Sequence, residues 1–262
     1  MKLNLVPART GWLWVTEGLK TFRRQPLALS GLFFLFMMAV SLVSLVPLVG
    51  NALALTLLPA ATLGLMAASK EASQGNFPMP SILISAFRAG REQARAMAIL
   101  GGINAVGILA VLGASALCDD GAFARLYLFG GTITPDLVEN TGFQQAVWLA
   151  IALYLPWSLL FWHAPALVHW GAVSPIKSLF FSWLACLNNW RAMTVYMLGW
   201  VAVFLGIGVA LMFVGMAFND PSLMGSMMFA ATLILAAMFF SSMYFTFRDS
   251  FILDGRFETS LT

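Results

Sequence analysis

His163 and His169 are the two histidines of the chain, and they are the first residues to ask about acid–base or metal chemistry. Six positions apart, they lie about 240° apart around a helix, so they do not face one ligand together. No H-E-x-x-H pattern and no third ligand stands nearby. A histidine at a membrane interface, bonded to a carbonyl, accounts for His163 without catalysis. A Ser–His or paired-aspartate site meets the same obstacle, because Asp119 and Asp120 fall on the opposite side of the membrane from the histidines. G-x-G-x-x-G and P-loop patterns do not occur. Cys118 and Cys186 also fall on opposite sides, so they are expected as thiols, with no disulfide framework and no C-x-x-C metal pattern. The expectation is a protein that is not an enzyme and carries no cofactor or metal.

A second chemistry is carried by arginine and tryptophan. Trp12, Trp14, Trp170, Trp183 and Trp190 gather near one interface with Arg23, Arg24, Arg95 and Arg191. Arginine at headgroup depth binds lipid phosphate and clusters anionic lipid, whereas the plainer reading is topological anchoring. The candidate contacts for headgroups or a partner are Arg23, Arg24, Arg95, Asn189, Arg191, Trp183 and Trp190. The partners expected are anionic lipids at the cytoplasmic face, with a membrane-protein partner or a second copy as further candidates.

The elements that position these residues follow from composition. Sixty per cent of the 262 residues are hydrophobic, 10% are charged, and mean hydropathy is +0.86. A soluble domain could not hide that much apolar surface, so lipid is the solvent for most of the chain. Six apolar runs are long enough to span: 27–49, 51–69, 96–118, 145–168, 193–217 and 224–246. The first is read as a retained span and not a cleavable signal, because a region with Trp12, Trp14 and basic residues precedes it and no A-x-A site follows.

Orientation follows from lysine and arginine. Lys2, Arg9, Lys20, Arg23, Arg24, Lys70, Arg88, Arg91, Arg95, Lys177, Arg191, Arg248 and Arg256 fall on one side, and Arg125 alone on the other. Both termini are therefore expected in the cytoplasm of a bacterial inner membrane. Asp119, Asp120, Asp136, Glu139 and Asp220 fall in the translocated loops. The net charge of +3 is a topology signal, and no nucleic-acid role is expected.

The expected fold is all-α: six transmembrane helices as three hairpins, each preceded by a cytoplasmic interfacial helix, in one membrane domain over 1–262. Modules are placed at 7–69, 78–168 and 175–246, with an outer loop at 119–143 and a tail at 247–262. In the first surface segment, Trp12, Val15, Leu19 and Phe22 share a face. In the second, Ser81, Ser85, Arg88, Glu92 and Arg95 form a polar helical stripe. The third, "SPIKSLFFSWLACLNNWRAM", opens with Ser174 as cap and Pro175 at the first helical position. Ile176, Leu179, Phe180, Trp183, Leu187 and Trp190 form its apolar face, and Ser178, Ser182, Ala185 and Asn189 a narrow small-and-polar stripe. The ten residues between Lys177 and Asn188 give about 15 Å of helix against a hydrocarbon core of about 30 Å, so this helix does not span. The spacings Pro7/Thr10/Arg24, Pro78/Ser81/Arg95 and Pro175/Ser178 suggest one repeated module.

The blocks "HAPALVHWGAVSPIKSLFFSWLACLNNWRA" and "PARTGWLWVTEGLKTFRRQPLAL", with "LLPAATLGLMAA" in the second span, resemble a β-proteobacterial family of inner-membrane proteins of unassigned activity. The resemblance covers essentially the full length. In layout alone the chain is also similar to the YciC-type proteins and to the membrane domain attached to some glycerophosphodiester phosphodiesterases. The resemblance implies a bacterial inner-membrane location and transfers no catalytic residue.

Within the spans there is no Asp, Glu, Lys or Arg at depth. Pro156 and Pro165 should bend the fourth span, and with His163 they mark a candidate cavity. Pro47 and Gly50 mark the turn of the first hairpin, and Pro59 should kink the second span. Gly102, Gly107, Gly113 and Ala114 suggest a close helix contact in the third. The favoured expectation is a non-enzymatic accessory, scaffold or lipid-organising protein. The alternative is a small transporter or lipid-handling permease using the kinked fourth span.

Overall fold

The computed structural model describes residues 2–218 and 221–252. Asp220, Arg256 and the tail from 253 onward lie outside the described residues. The chain is helical almost throughout: α1 (Arg9–Arg24), α2 (Pro26–Ser44), α3 (Gly50–Ser73), a 3₁₀ turn (Pro80–Ile84), α4 (Ser85–Arg88), α5 (Arg91–Asp119), α6 (Ala122–Phe129), α7 (Pro135–Glu139), α8 (Thr141–Phe161), α9 (Ala164–Trp170), α10 (Pro175–Asn188), α11 (Trp190–Phe218) and α12 (Pro221–Ser250). Two short strands, β1 (Lys2–Leu3) and β2 (Phe251–Ile252), pair antiparallel with Lys2 opposite Ile252.

Among the described residues, six helical stretches are long and apolar enough to cross a membrane: α2, α3, α5, the α8–α9 pair, α11 and α12. These are the six expected spans with shifted ends. The first stops at Ser44, not at 49, because proline disfavours helix at the residue before it and Pro47 follows in the turn. Pro59 sits inside the continuous α3. The outer loop is more ordered than its turn residues suggest. It contains α6 and α7, and both oxygens of Asp119 accept backbone N–H groups at the start of α6, from Gly121 at 3.0 Å and Phe123 at 2.7 Å.

The chain divides into two compact units. The first holds residues 1–37, 61–89 and 184–262. There α1 packs against α11 and α12, with Gly11, Trp14, Val15, Gly18, Thr21 and Phe22 buried. Glycine is required at two of these positions. A Cβ at Gly11 would strike the Ala192 carbonyl, and one at Gly18 would strike Ser242. Of the face expected for an interfacial α1, Val15 and Phe22 are buried and Leu19 is half-buried, and the expectation is corrected for Trp12, which lies outside it. The buried face is turned toward Gly11, Trp14 and Gly18, Trp14 is wholly enclosed, and Trp12 remains exposed. Close backbone approach at the glycines makes α1 a packed helix and leaves one flank of it outside.

The second surface segment also departs from expectation. Residues 80–88 form the 3₁₀ turn and α4, and Gly90 then takes φ +111°, which a side chain would resist. Arg91 opens α5, so Glu92 and Arg95 belong to a span and do not continue a stripe from Ser81.

The second unit holds residues 38–60 and 90–183. Its core gathers Leu55, Ala105, Ile108 and Leu112, flanked by Phe123 and Trp157. The buried Asn104 amide donates to the Leu55 carbonyl at 3.0 Å, fixing α5 against the start of α3. Of the small residues expected to bring helices together, Gly107 does so, lying directly under the Trp157 indole, while Gly102 and Gly113 face open space.

Candidate functional site: the broken fourth span and the surface of α10

Pro165 has no N–H to give the carbonyl four residues back, and the helix opens just before it. The break falls at Trp162 and His163, between α8 and α9. In an unbroken helix the His163 N–H would donate to the Leu159 carbonyl. Here the Ser182 hydroxyl, from α10, sits between them. It accepts from His163 N at 2.9 Å and donates to Leu159 O at 2.8 Å. One side chain thus satisfies both exposed backbone groups and ties α10 to the break.

The same two helices border an outward-opening apolar groove of about 390 Å³, lined by Leu153, Pro156, Trp157, Leu160, Phe180 and Trp183. Of the three residues expected around a cavity, Pro156 lines this groove. His163 and Pro165 are buried and are not among its walls.

The faces of α10 are distributed as they must be when lipid is the solvent. Ser178 and Ser182 are wholly buried and Asn189, just beyond the helix, is 2% exposed. Ile176, Phe180 and Trp190 are 68%, 58% and 57% exposed. The small-and-polar stripe faces protein, where Ser182 and Asn189 find partners while Ser178 donates to Pro175 O of its own helix, and the large apolar side chains face outward.

Asn189 is a structural clip. Its Oδ1 accepts from Val6 N at 2.9 Å, and its Nδ2 donates to Asn4 O at 3.0 Å, with Ser250 Oγ at 3.5 Å. These bonds hold the N-terminal segment and the end of α12 at the α10–α11 joint. The expectation of Asn189 as a headgroup contact is corrected: its amide is enclosed and engaged within the chain. Nearby, the Asp249 carboxylate accepts from Trp14 Nε1 at 2.9 Å and from Arg248 at 2.7 and 3.1 Å. Ser242 takes the Tyr196 hydroxyl at 2.6 Å and the Trp200 N–H at 3.1 Å. The sequence reading missed Ser182, Ser242 and Asp249 as fixing points, and for Ser182 the signal was the Pro165 break, which demands a donor and acceptor from elsewhere.

The arginines behave differently from Asn189. Arg23, Arg95 and Arg191 are exposed, and the Arg191 guanidinium lies over the Trp190 ring at 5.5 Å. Arg24 is exposed too, but it donates to the Ser73 carbonyl at 2.6 Å and so caps the end of α3. Trp183 is half-buried at the groove. Trp14 and Trp170, expected at the interface, are buried in the fold, whereas Trp12 and Trp190 stay exposed. Cys186 is buried, and burial pushes its thiol up to about 12. No group of three His, Cys, Asp or Glu side chains suited to a metal occurs among the described residues.

No family model matches the chain, and no solved structure matches it. A curated protein of Burkholderia thailandensis, described as a "probable inner membrane protein", is 40% identical over 255 residues, covering 96% of this chain and 94% of that one.

Proposed function

The chain belongs to the family of that Burkholderia inner-membrane protein, and from this premise we propose that it is a multi-pass protein of the bacterial inner membrane that organises anionic lipid, without enzymatic activity of its own. One observation carries the reading: α10 turns its polar stripe inward and its large apolar side chains outward, with Lys177 exposed in its first turn and Arg191 exposed just beyond its end, at the start of α11. Such an element lies in the membrane surface, with apolar side chains among acyl tails and cations at the phosphates. Arg23 and Arg95 supply the same chemistry elsewhere. Both termini lie in the cytoplasm in this reading, because thirteen of the 14 basic residues then fall on the cytoplasmic side.

The groove beside the broken fourth span favours handling of lipid over passage of a polar solute, since its six lining side chains offer acyl-compatible surface. The experiment is purification from native membrane, with bound lipids and proteins identified together. Enrichment of anionic phospholipid over the bulk membrane supports the proposal. Lipid in bulk proportions, or a stoichiometric protein partner that covers the basic surface, would count against it.

A further inference from the structure

The α8–α10 groove is walled by side chains of two helices, and α10 also carries Lys177, one turn before the wall residue Phe180. Its side chains come from α8 and α10, which Ser182 links through its hydrogen bonds to Leu159 and His163. The volume of about 390 Å³ is near the lower end of the usual range for small-molecule sites, about 300–1,000 Å³. Leu153 and Phe180 are exposed at its edge, on helix faces that the proposed membrane location puts against acyl tails.

Lys177 lies one turn before Phe180, a rise of about 4.5 Å along the helix. It is exposed, its ammonium has no ion-pair or hydrogen-bond partner among the described residues, and no acidic residue occurs on α10. The indole N–H of Trp183, which lines the groove, likewise has no acceptor among the described residues. An apolar groove with an ammonium and an indole donor matches an amphiphile with an acyl chain, ester oxygens and a negative headgroup.

We propose that this groove binds one acyl chain of an anionic glycerophospholipid, with Lys177 at the phosphate and Trp183 as a donor to the ester region. This deepens the lipid reading above by naming a site, and it rests on that reading for the placement of α10 in the membrane surface. The two fail separately. Bulk enrichment without groove occupancy sinks the site alone, and groove occupancy without bulk enrichment sinks the broader organising role alone.

The test uses the full chain in nanodiscs of phosphatidylcholine doped with phosphatidylglycerol that carries a diazirine midway along one acyl chain. After irradiation, adducts are mapped by peptide mass spectrometry. They should concentrate on the segments 153–160 and 180–183 relative to the outer face of α11. Lys177→Gln should lower phosphatidylglycerol labelling there about fivefold, the factor matching roughly 1 kcal/mol for one basic residue near the surface, and leave a phosphatidylcholine probe unchanged. Leu153→Trp should fill the groove and remove both labels. Should that variant misfold, Phe180→Ala, at an exposed position, should lower both labels by removing one wall. Labelling no denser than on α11, an equal loss of both probes in Lys177→Gln, or groove crosslinks that join two copies of the chain would overturn the proposal.

Discussion

The Ser182 hydroxyl takes the hydrogen bond that the His163 amide would otherwise give within its own helix. Ser182 Oγ accepts from His163 N at 2.9 Å and its O–H donates to the Leu159 carbonyl at 2.8 Å. A non-spanning helix thereby repairs a proline-broken span.

Removing that hydroxyl takes away two hydrogen bonds, one from the His163 N–H and one to the Leu159 carbonyl. Ser182→Ala should destabilise the protein by about 1–3 kcal/mol, read from thermal unfolding in detergent. The His163 amide should also exchange faster with solvent deuterium. Unchanged stability together with unchanged exchange would mean that the helix closes on itself without Ser182.

The seat of α1 on α11 and α12 depends on the missing side chains at Gly11 and Gly18. Gly18→Leu should force α1 away from Ser242 and cost about 1–3 kcal/mol or more, because overpacking displaces backbone. Protease cleavage within α1 should accelerate. Protection equal to wild type would contradict the packed placement of this helix.

Asn189→Ala should loosen the joint and leave lipid binding alone. Its amide holds Asn4 and Val6, so hydrogen exchange at the N-terminal segment should rise. Retained phosphatidylglycerol should stay at the wild-type level. A selective loss of anionic lipid would restore Asn189 as a headgroup contact.

The cysteines test sidedness and burial together. Cys118 should react with a membrane-impermeant maleimide from outside, whereas Cys186 should stay unlabelled until unfolding. Burial raises the Cys186 thiol from 9.0 to about 12, so the folded state keeps its proton where the unfolded chain begins to lose it. Any stability linked to this group is therefore present below about pH 9 and declines as pH rises from there toward 12. Labelling of Cys118 only from the inside would reverse the proposed orientation.

Much of the architecture is legible in the sequence because the strongest signal, apolar length, is the one the bilayer imposes. The six spans follow from it, as does the non-spanning nature of α10, whose Ser174–Pro175 start and short length are local facts. The faces were harder. Periodicity divides α10 into an apolar and a polar side, but only lipid as solvent decides that Ser178 and Ser182 turn inward. For α1, tryptophan and arginine suggested an interface, while Gly11 and Gly18, seven residues apart, carried the packing information. At 78–95 the polar spacing looked continuous, and Gly90 ended that continuity with a positive φ. The Ser182 bridge and the Asn189 clip join residues 19 to 185 positions apart, and no local pattern encodes such pairings.

The most direct measurement of the lipid account is native mass spectrometry of the protein released from nanodiscs of equal phosphatidylglycerol and phosphatidylcholine. Wild type is compared with the combined Arg23→Gln, Arg95→Gln and Arg191→Gln variant. Arg24 is left intact because it also caps α3 through Ser73. The account predicts that wild type retains an excess of phosphatidylglycerol and that the variant retains the two lipids nearly equally. An identical excess in both proteins would contradict it and leave these arginines as anchors of topology alone.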